Sequence, residues 1–171
     1  GCFRVEFVKT NHSIQDASAL AIFTPVGTVL HTGDFKIDYT PVFGDAADLQ
    51  RFAELGRKGV LALMSDSTNA IRTGFTASER TVGKTFDAIF AEHKANRIIV
   101  ATFASNVDRV QQIINSAYKY GRKVVVEGRS MVNIIETATS LGYLDIPDKT
   151  LIDIEQLKNY PDEKTVIVTT G

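Results

Sequence analysis

Residues 97–128 read RIIVATFASNVDRVQQIINSAYKYGRKVVVEG, and their pattern decides the fold. The apolar run at 97–103 predicts a strand, and the valine-rich run at 122–128 predicts a second strand. The segment between them predicts a helix that begins near Ser105 or Asn106. Its inward side chains recur at helical spacing, namely Val110, Ile113, Ile114 and Ala117. Two strands joined by a helix form a βαβ unit, which indicates a parallel sheet with helices packed on its faces.

The same alternation continues on both sides of this segment. RSMVNIIETATSLG at 129–142 predicts a helix, and KTVIVTT at 164–170 predicts a further strand. Upstream, Thr76 and Glu79 have the TxxE spacing of a capping box and predict a helix that runs to about His93. The second part of the chain is therefore expected to be a doubly wound α/β structure.

Residues before about 75 are richer in strands and turns. One amphipathic helix is expected within DAADLQRFAELGRKG at 45–59, ending at Gly56. The predicted strands are the short apolar runs FRVEFV at 3–8, ALAIFT at 19–24, TVLHT at 28–32 and VLALM at 60–64. The change of pattern places a domain boundary near residue 75.

Composition limits the classes of protein that this chain can represent. Its 171 residues are 44% hydrophobic and 23% charged, which fits one domain or two small ones and excludes a disordered tail. The single cysteine, Cys2, cannot form an internal disulfide, which indicates a reducing compartment such as the cytoplasm. No window approaches the roughly 18 apolar residues of a membrane helix, so no membrane contact is expected. Because the chain begins with Gly1 and stops just after a strand-like run, we expect a piece of a longer protein.

The net charge of −1 predicts no overall basic field, but charge is distributed unevenly along the chain. Residues 97–129 carry six basic side chains against two acidic ones, whereas residues 145–163 carry six acidic side chains against two basic ones. Solvated faces of ordinary helices and loops explain either run. The positive run is also compatible with a nucleic-acid partner.

Two residues that could bind a metal stand where predicted strands end. His12 follows the first strand and Asp34 follows the third, and imidazole and carboxylate groups suit zinc when no thiolate is available. One histidine and one aspartate do not by themselves define a metal site. Asp66 follows another strand in the same way, where an aspartate ordinarily initiates a turn. Of the remaining histidines, His31 is expected to be packed and hydrogen-bonded, and His93 to complement a helix dipole at the surface.

The segment TFASN, residues 102–106, could bind an anion. It delivers Ser105 and Asn106 to the start of a predicted helix, where exposed backbone N–H groups attract phosphate. Arg109 follows one turn later. An ordinary helix cap has the same geometry, so both interpretations remain open.

Taken together, five stretches of this chain resemble one family, ribonuclease J, the β-CASP-carrying branch of the metallo-β-lactamase nucleases. The resemblance implies an α/β fold class: the C-terminal part of a metallo-β-lactamase αββα half in residues 1–75, followed by a parallel-sheet β-CASP domain in residues 76–171. The stretches, in order, are NHSIQDASALAIFTPVGTVLHTGDFKIDYTPV, GVLALMSDSTNA, GFTASE, IIVATFASNVDRVQQ and GRKVVVEGRSMVN.

The resemblance also implies a function, the hydrolysis of RNA phosphodiester bonds from the 5′ end and internally. Two zinc ions in the full-length protein would use His12 as a terminal ligand and Asp34 as a bridging ligand, and Asp66 would orient a metal-bound histidine. The full-length protein is expected to be a cytoplasmic homo-oligomer. The β-CASP part would hold RNA, and its candidate contacts are Ser105, Asn106, Arg109 and Arg129.

The chain departs from the family pattern in ways that limit these expectations. The family takes most zinc ligands from an HxHxDH loop that precedes this region and another from a histidine after it, and neither is present. Gln15 stands where the family usually has proline, and Ala17 where it often has serine. We therefore expect the isolated chain to bind zinc weakly, to be inactive, and to expose apolar surface that promotes association.

Two other functions are consistent with parts of the pattern. A non-catalytic RNA-binding or nucleotide-binding module would explain the βαβ arrangement and the positive run. A hydrolase of thioesters or lactams on the same fold is disfavoured, because small-substrate enzymes do not need an insertion that grips a polynucleotide.

Overall fold

A computed structural model describes residues 1–170 and divides the chain after Ser78. The N-terminal unit is Gly1–Ser78, and the C-terminal unit begins at Glu79. Each unit has its own sheet and its own hydrophobic core.

The N-terminal unit contains a four-stranded sheet in the order β1-β2-β3-β4. The first three strands form an antiparallel meander, and the fourth strand pairs in parallel with the third. This parallel pair brings the ends of two strands to the same edge of the sheet. The strands are β1 (Arg4–Lys9), β2 (Ser18–Thr24), β3 (Gly27–His31) and β4 (Ala62–Met64).

Helix α1 (Leu49–Lys58) covers one face of this sheet. The carboxylate of Asp48 caps the helix by accepting the backbone N–H of Arg51 at 2.9 Å. The guanidinium of Arg51 then binds Glu6 of β1 through two hydrogen bonds of 2.5 and 3.0 Å, which hold the pKa of the Glu6 carboxyl below its ordinary value. The buried core beneath the helix consists of Val8, Ala19, Ala21, Leu30 and Leu55.

The opposite face of the same sheet presents apolar side chains to solvent. Successive strand residues point to opposite faces, so Phe7 lies on the far side from the buried Val8. Phe7 is 74% exposed and Met64 of β4 is 55% exposed. The N-terminal unit therefore exposes apolar surface, as the sequence predicts.

The C-terminal unit contains a three-stranded parallel sheet in the order β5-β7-β6. The βαβ unit predicted from residues 97–128 is present, but the last strand inserts between its two strands. The carboxyl ends of all three strands consequently lie at one edge. The strands are β5 (Ile98–Ala101), β6 (Lys123–Glu127) and β7 (Thr165–Thr169), and the helices are α2 (Glu79–Glu92), α3 (Val107–Lys119) and α4 (Arg129–Ser140).

Helix α2 begins later than the predicted capping box requires. Its first residue is Glu79, so Glu79 lies in the first helical turn and Thr76 lies three residues before it. The Glu79 carboxylate accepts two hydrogen bonds from Arg109, of 2.7 and 3.1 Å. The Glu79 side chain, which the TxxE spacing assigned to a cap, thus joins α2 to α3.

The core of the C-terminal unit confirms the predicted inward face of α3. Asn106 is the N-cap of this helix, and its Oδ1 accepts the backbone N–H of Arg109 at 3.1 Å. Val124, Val166 and Val168 of the sheet are fully buried in the same core. The four predicted helical side chains, Val110, Ile113, Ile114 and Ala117, are each 0–1% exposed.

Arg122 is a buried cation that closes the end of α2. It is 3% exposed, and its guanidinium donates to the backbone oxygens of His93 at 2.6 Å and of Asn96 at 2.7 Å. Burial lowers the pKa of Arg122, but a guanidinium remains charged at neutral pH. The charge therefore stays inside, where the backbone oxygens of His93 and Asn96 in the turn after α2 accept its hydrogen bonds.

Replacing Arg122 should destabilise the C-terminal unit. Arg122→Met keeps much of the aliphatic volume but removes the two guanidinium hydrogen bonds to the His93 and Asn96 carbonyls, at a cost of about 2–3 kcal/mol. Urea denaturation followed by circular dichroism measures the change, and Lys94→Met at an exposed neighbouring position is the control. Equal midpoints for the two variants would contradict this account of the helix end.

Candidate functional site

The structure brings the two predicted metal-binding residues together. The Nε2 atom of His12 lies 3.8 Å from Oδ2 of Asp34, although 21 residues separate them in sequence. Their side chains are 36% and 73% exposed, so both remain accessible from solvent. His12 follows the end of β1 and Asp34 follows the end of β3, which places the pair at one edge of the N-terminal sheet.

Asn11 fixes the loops around this pair. It is 8% exposed, and its Nδ2 donates to the backbone oxygen of Asp45 while its Oδ1 accepts the backbone N–H of Ala47, both at 2.9 Å. Its own backbone oxygen accepts the N–H of Lys36 at 2.8 Å. Asn11 therefore joins the chain before His12 to the segment after Asp34. It also holds residues 45–47, the strap that leads into α1. Sequence reasoning missed Asn11, since a polar residue at a strand end ordinarily faces water.

Thr32 connects the ends of β3 and β4. Its hydroxyl donates to the Gly33 backbone oxygen at 2.7 Å and accepts the backbone N–H of Asp66 at 2.9 Å. Gly33 has a φ of +61°, a conformation that glycine adopts without strain, and its N–H donates to Nδ1 of His31 at 3.0 Å. His31 is hydrogen-bonded as predicted, but it is exposed rather than packed.

Asp66 occupies the turn that follows β4. Its carboxylate accepts the backbone N–H of Thr68 at 2.9 Å and the Thr68 hydroxyl at 2.7 Å, and these bonds hold the pKa of Asp66 below its ordinary value. The backbone N–H of Phe35 and the charge of His12 lower that pKa further. Asp66 thus performs the ordinary turn role and also lies within electrostatic reach of His12.

The donor chemistry of the pair suits zinc, but the number of donors is small. An imidazole nitrogen and a carboxylate oxygen are both accepted zinc ligands, and a zinc ion usually takes four. Within residues 1–170, no group of three or more His, Cys, Asp or Glu side chains is placed to hold a metal ion. His12 and Asp34 fit as part of a coordination shell and cannot complete one.

The predicted RNA contacts lie at the carboxyl edge of the parallel sheet, where ligands of such sheets usually bind. Ser105 and Asn106 follow β5, and the exposed Arg129 follows β6. Asn106 is buried and already caps α3, and Arg109 is held by Glu79. A phosphate at Arg109 would have to displace that carboxylate.

The positive run at 97–129 contributes less free charge than its composition suggests. Arg97 pairs with Asp162 at 2.6 Å, Lys119 pairs with Asp87 at 2.5 Å, and Arg122 is buried. Internal contacts therefore neutralise or bury most of the basic side chains counted in the sequence.

None of the helices within residues 1–170 is long and apolar enough to cross a membrane.

Comparison with known proteins defines first the class of the fold. Residues 95–171 match the family described as "Ribonuclease J, beta-CASP domain". The mixed α/β structure with its parallel sheet is consistent with this β-CASP domain of the metallo-β-lactamase superfamily. A solved structure from Enterococcus faecalis V583, described as a protein of unknown function, aligns with a TM-score of 0.67 at 19% identity, covering 100% of this chain and 42% of that one. That alignment supports the fold alone.

Sequence similarity then extends over nearly the whole chain. It is 50% identical over 169 residues to a ribonuclease J of Synechocystis, covering 99% of this chain and 26% of that protein. It is 48% identical to a ribonuclease J of Helicobacter pylori strain J99, covering 100% of this chain and 25% of that protein, and 41% identical to ribonuclease J2 of Bacillus subtilis, covering 98% and 30%. The chain is homologous to ribonuclease J, and the predicted family resemblance is confirmed. It spans between a quarter and three tenths of the length of these relatives.

Removing the Asn11 amide should loosen the strap beside His12. Asn11→Ala leaves the Asp45 carbonyl and the Ala47 N–H without partners, which costs about 1–3 kcal/mol of unfolding free energy. Hydrogen exchange at the Ala47 amide should accelerate along with the lower urea midpoint. Asn69→Ala, at an exposed asparagine of the same unit, serves as the control. An unchanged Ala47 exchange rate would show that Asn11 does not hold the strap.

Proposed function

We propose that this chain is the part of a metal-dependent ribonuclease that supplies one side of its active site. The full-length protein would hydrolyse RNA phosphodiester bonds as a 5′ exonuclease and an endonuclease, in RNA processing and decay. The observation that carries the proposal is the 3.8 Å approach of His12 and Asp34, in a chain whose relatives are named ribonuclease J. This approach joins two loops that the local sequence pattern could not relate.

His12 would be a terminal ligand and Asp34 the bridging ligand of two zinc ions. When bound, zinc supplies Lewis acidity to a scissile phosphate and lowers the pKa of the attacking water. The 73% exposed carboxylate of Asp34 can reach outward to a shared position, and Asn11 keeps the His12 loop beside it. Asp66 would orient a metal-bound histidine, and its place after β4, which pairs in parallel with β3, sets it at the same edge of the sheet as Asp34.

Residues 1–75 would form part of the metallo-β-lactamase domain and residues 76–171 part of the β-CASP domain that holds RNA. Ser105 and Asn106 would offer the N-terminus of α3 to a phosphate, with Arg129 at the start of α4 as a further cation. Arg109 would contribute by exchanging Glu79 for phosphate. We further propose that the full-length protein works in the cytoplasm as a homo-oligomer.

A second candidate function is a non-catalytic RNA-binding or nucleotide-binding module. The N-termini of α3 and α4 favour it, because they lie at the carboxyl edge of the parallel sheet. Backbone N–H groups at a helix N-terminus can bind phosphate without a metal ion. The two functions differ in whether loss of His12 matters. A binding module would keep its affinity for RNA in a His12 variant, whereas the nuclease would lose turnover.

The isolated chain should bind zinc weakly, since it provides two donors where the ion prefers four. Calorimetric titration with ZnCl₂ should show weak binding that His12→Ala and Asp34→Asn each abolish. His93→Ala, at an exposed histidine of the C-terminal unit, should leave the titration unchanged. Tight binding of two zinc ions by the 171-residue chain would refute the assignment of this pair as an incomplete shell.

Grafting tests the catalytic role directly. The corresponding 169-residue segment of the Synechocystis ribonuclease J is replaced by this chain, and cleavage of 5′-labelled RNA is followed with and without chelator. We expect activity that chelator removes, a loss of more than about 100-fold in His12→Ala or Asp34→Ala, and a loss of about 10–100-fold in Asp66→Asn.

His93→Ala is the matched control in the graft and should retain full activity. Metal content of each purified variant, measured by emission spectrometry, separates loss of metal from loss of folding. A folded graft in which His12→Ala cleaves RNA at the parental rate would eliminate the nuclease assignment.

A further inference from the structure

A groove of about 340 Å³ runs through the N-terminal unit beside Asp66. We call it the loop groove. One wall comes from residues 35–37, which directly follow Asp34, and another comes from the turn at 66–70. Phe75 and Thr76 complete the lining.

The loop groove opens next to the His12–Asp34 pair. Phe35, on its wall, is the residue after Asp34. Asp66 in turn lies within electrostatic reach of His12. One wall of the groove therefore begins at the residue after the proposed metal ligand Asp34.

The chemistry of the lining suits a nucleobase better than a phosphate. Lys36 is the basic side chain among the lining residues, and its Nζ pairs with Asp38 at 3.5 Å. Asp66 adds a negative charge that repels phosphate. Two aromatic rings, Phe35 and Phe75, and the amide of Asn69 provide instead the stacking surface and hydrogen-bonding groups that bases use.

Phe75 is the residue best placed for stacking. Its side chain is 95% exposed, and it follows Gly74, whose φ of +98° bends the chain at this point. Single exposed apolar residues are common, and Ile71 of the same loop is 96% exposed. Phe75 differs from Ile71 in that it is aromatic and lines the groove.

We propose that the loop groove is a base-binding subsite for single-stranded RNA, in which Phe75 stacks on a nucleobase. The inference rests on the proposed ribonuclease function and adds to it a substrate-contacting residue outside the metal pair. Stacking on an aromatic ring tolerates any base, so the subsite would position RNA without selecting its sequence.

Photochemical cross-linking tests this contact. The 171-residue chain is mixed with a short oligouridylate carrying one 5-iodouridine, in the presence of chelator so that neither cleavage nor metal binding contributes. After long-wavelength irradiation and trypsin digestion, the lining residues separate into four peptides, residues 10–36, 37–51, 59–72 and 73–80. Phe75 is the one aromatic residue of the peptide 73–80.

We expect the cross-link on residues 73–80. Phe75→Ala should remove it and raise the Kd for the oligonucleotide at least about fivefold by fluorescence anisotropy, the effect of losing one stacked base. Phe75→Tyr should retain both signals, because tyrosine also stacks. Ile71→Ala, equally exposed but aliphatic, should behave like the parent chain.

Several results would overturn the subsite. These are a cross-link confined to other peptides, an unchanged Kd in Phe75→Ala, equal losses in Ile71→Ala and Phe75→Ala, or no binding of the oligonucleotide by the parent chain. Failure of the grafting experiment together with a cross-link at Phe75 would instead remove the nuclease function and leave the RNA subsite standing.

Discussion

The hydrogen bonds of the buried Asn11 amide are the constraint on which the candidate site depends. The two proposed metal ligands, His12 and Asp34, stand on loops, and loops hold a geometry only where their backbone is tied down. Asn11 satisfies backbone groups of Asp45 and Ala47 with one side chain and bonds Lys36 through its own carbonyl. Because this side chain is buried, its hydrogen bonds compete little with water and hold the segments beside His12 and Asp34 together.

Charge in this chain is organised by pairing rather than by composition. Arg51 pairs with Glu6 of β1, and Arg109 pairs with Glu79 of α2. Arg122 donates to the backbone oxygen of His93, just after α2. Each arginine thereby joins two elements of secondary structure, and its planar fork suits that task. Exposed basic groups such as Arg129 remain at the edges, so the proposed RNA binding would depend on helix N-termini and stacking more than on net charge.

The elements with a strong repeat could be predicted from sequence, and long-range contacts could not. The apolar spacing at Val110, Ile113 and Ala117 identified α3 and its buried face, because periodicity is a local property. The insertion of β7 between β5 and β6 leaves no trace in that spacing. The Glu79 carboxylate, which the TxxE spacing assigned to a capping box, instead accepts two hydrogen bonds from Arg109, thirty residues later. His12 and Asp34 were linked only through family resemblance, since nothing in their local patterns relates them.

Strand register connects the hydrophobic pattern to the metal pair. In the β1–β2 ladder Val8 faces Ala19 within the core, and Phe7 faces Leu20 on the opposite surface. A slip of one residue would exchange these faces, bury Lys9 in place of Val8 and turn Glu6 away from Arg51 of α1. The same slip would move the end of β1 by about 3.4 Å along the strand. That displacement is comparable with the 3.8 Å between Nε2 of His12 and Oδ2 of Asp34, so the approach of these two side chains depends on the register of β1 against β2.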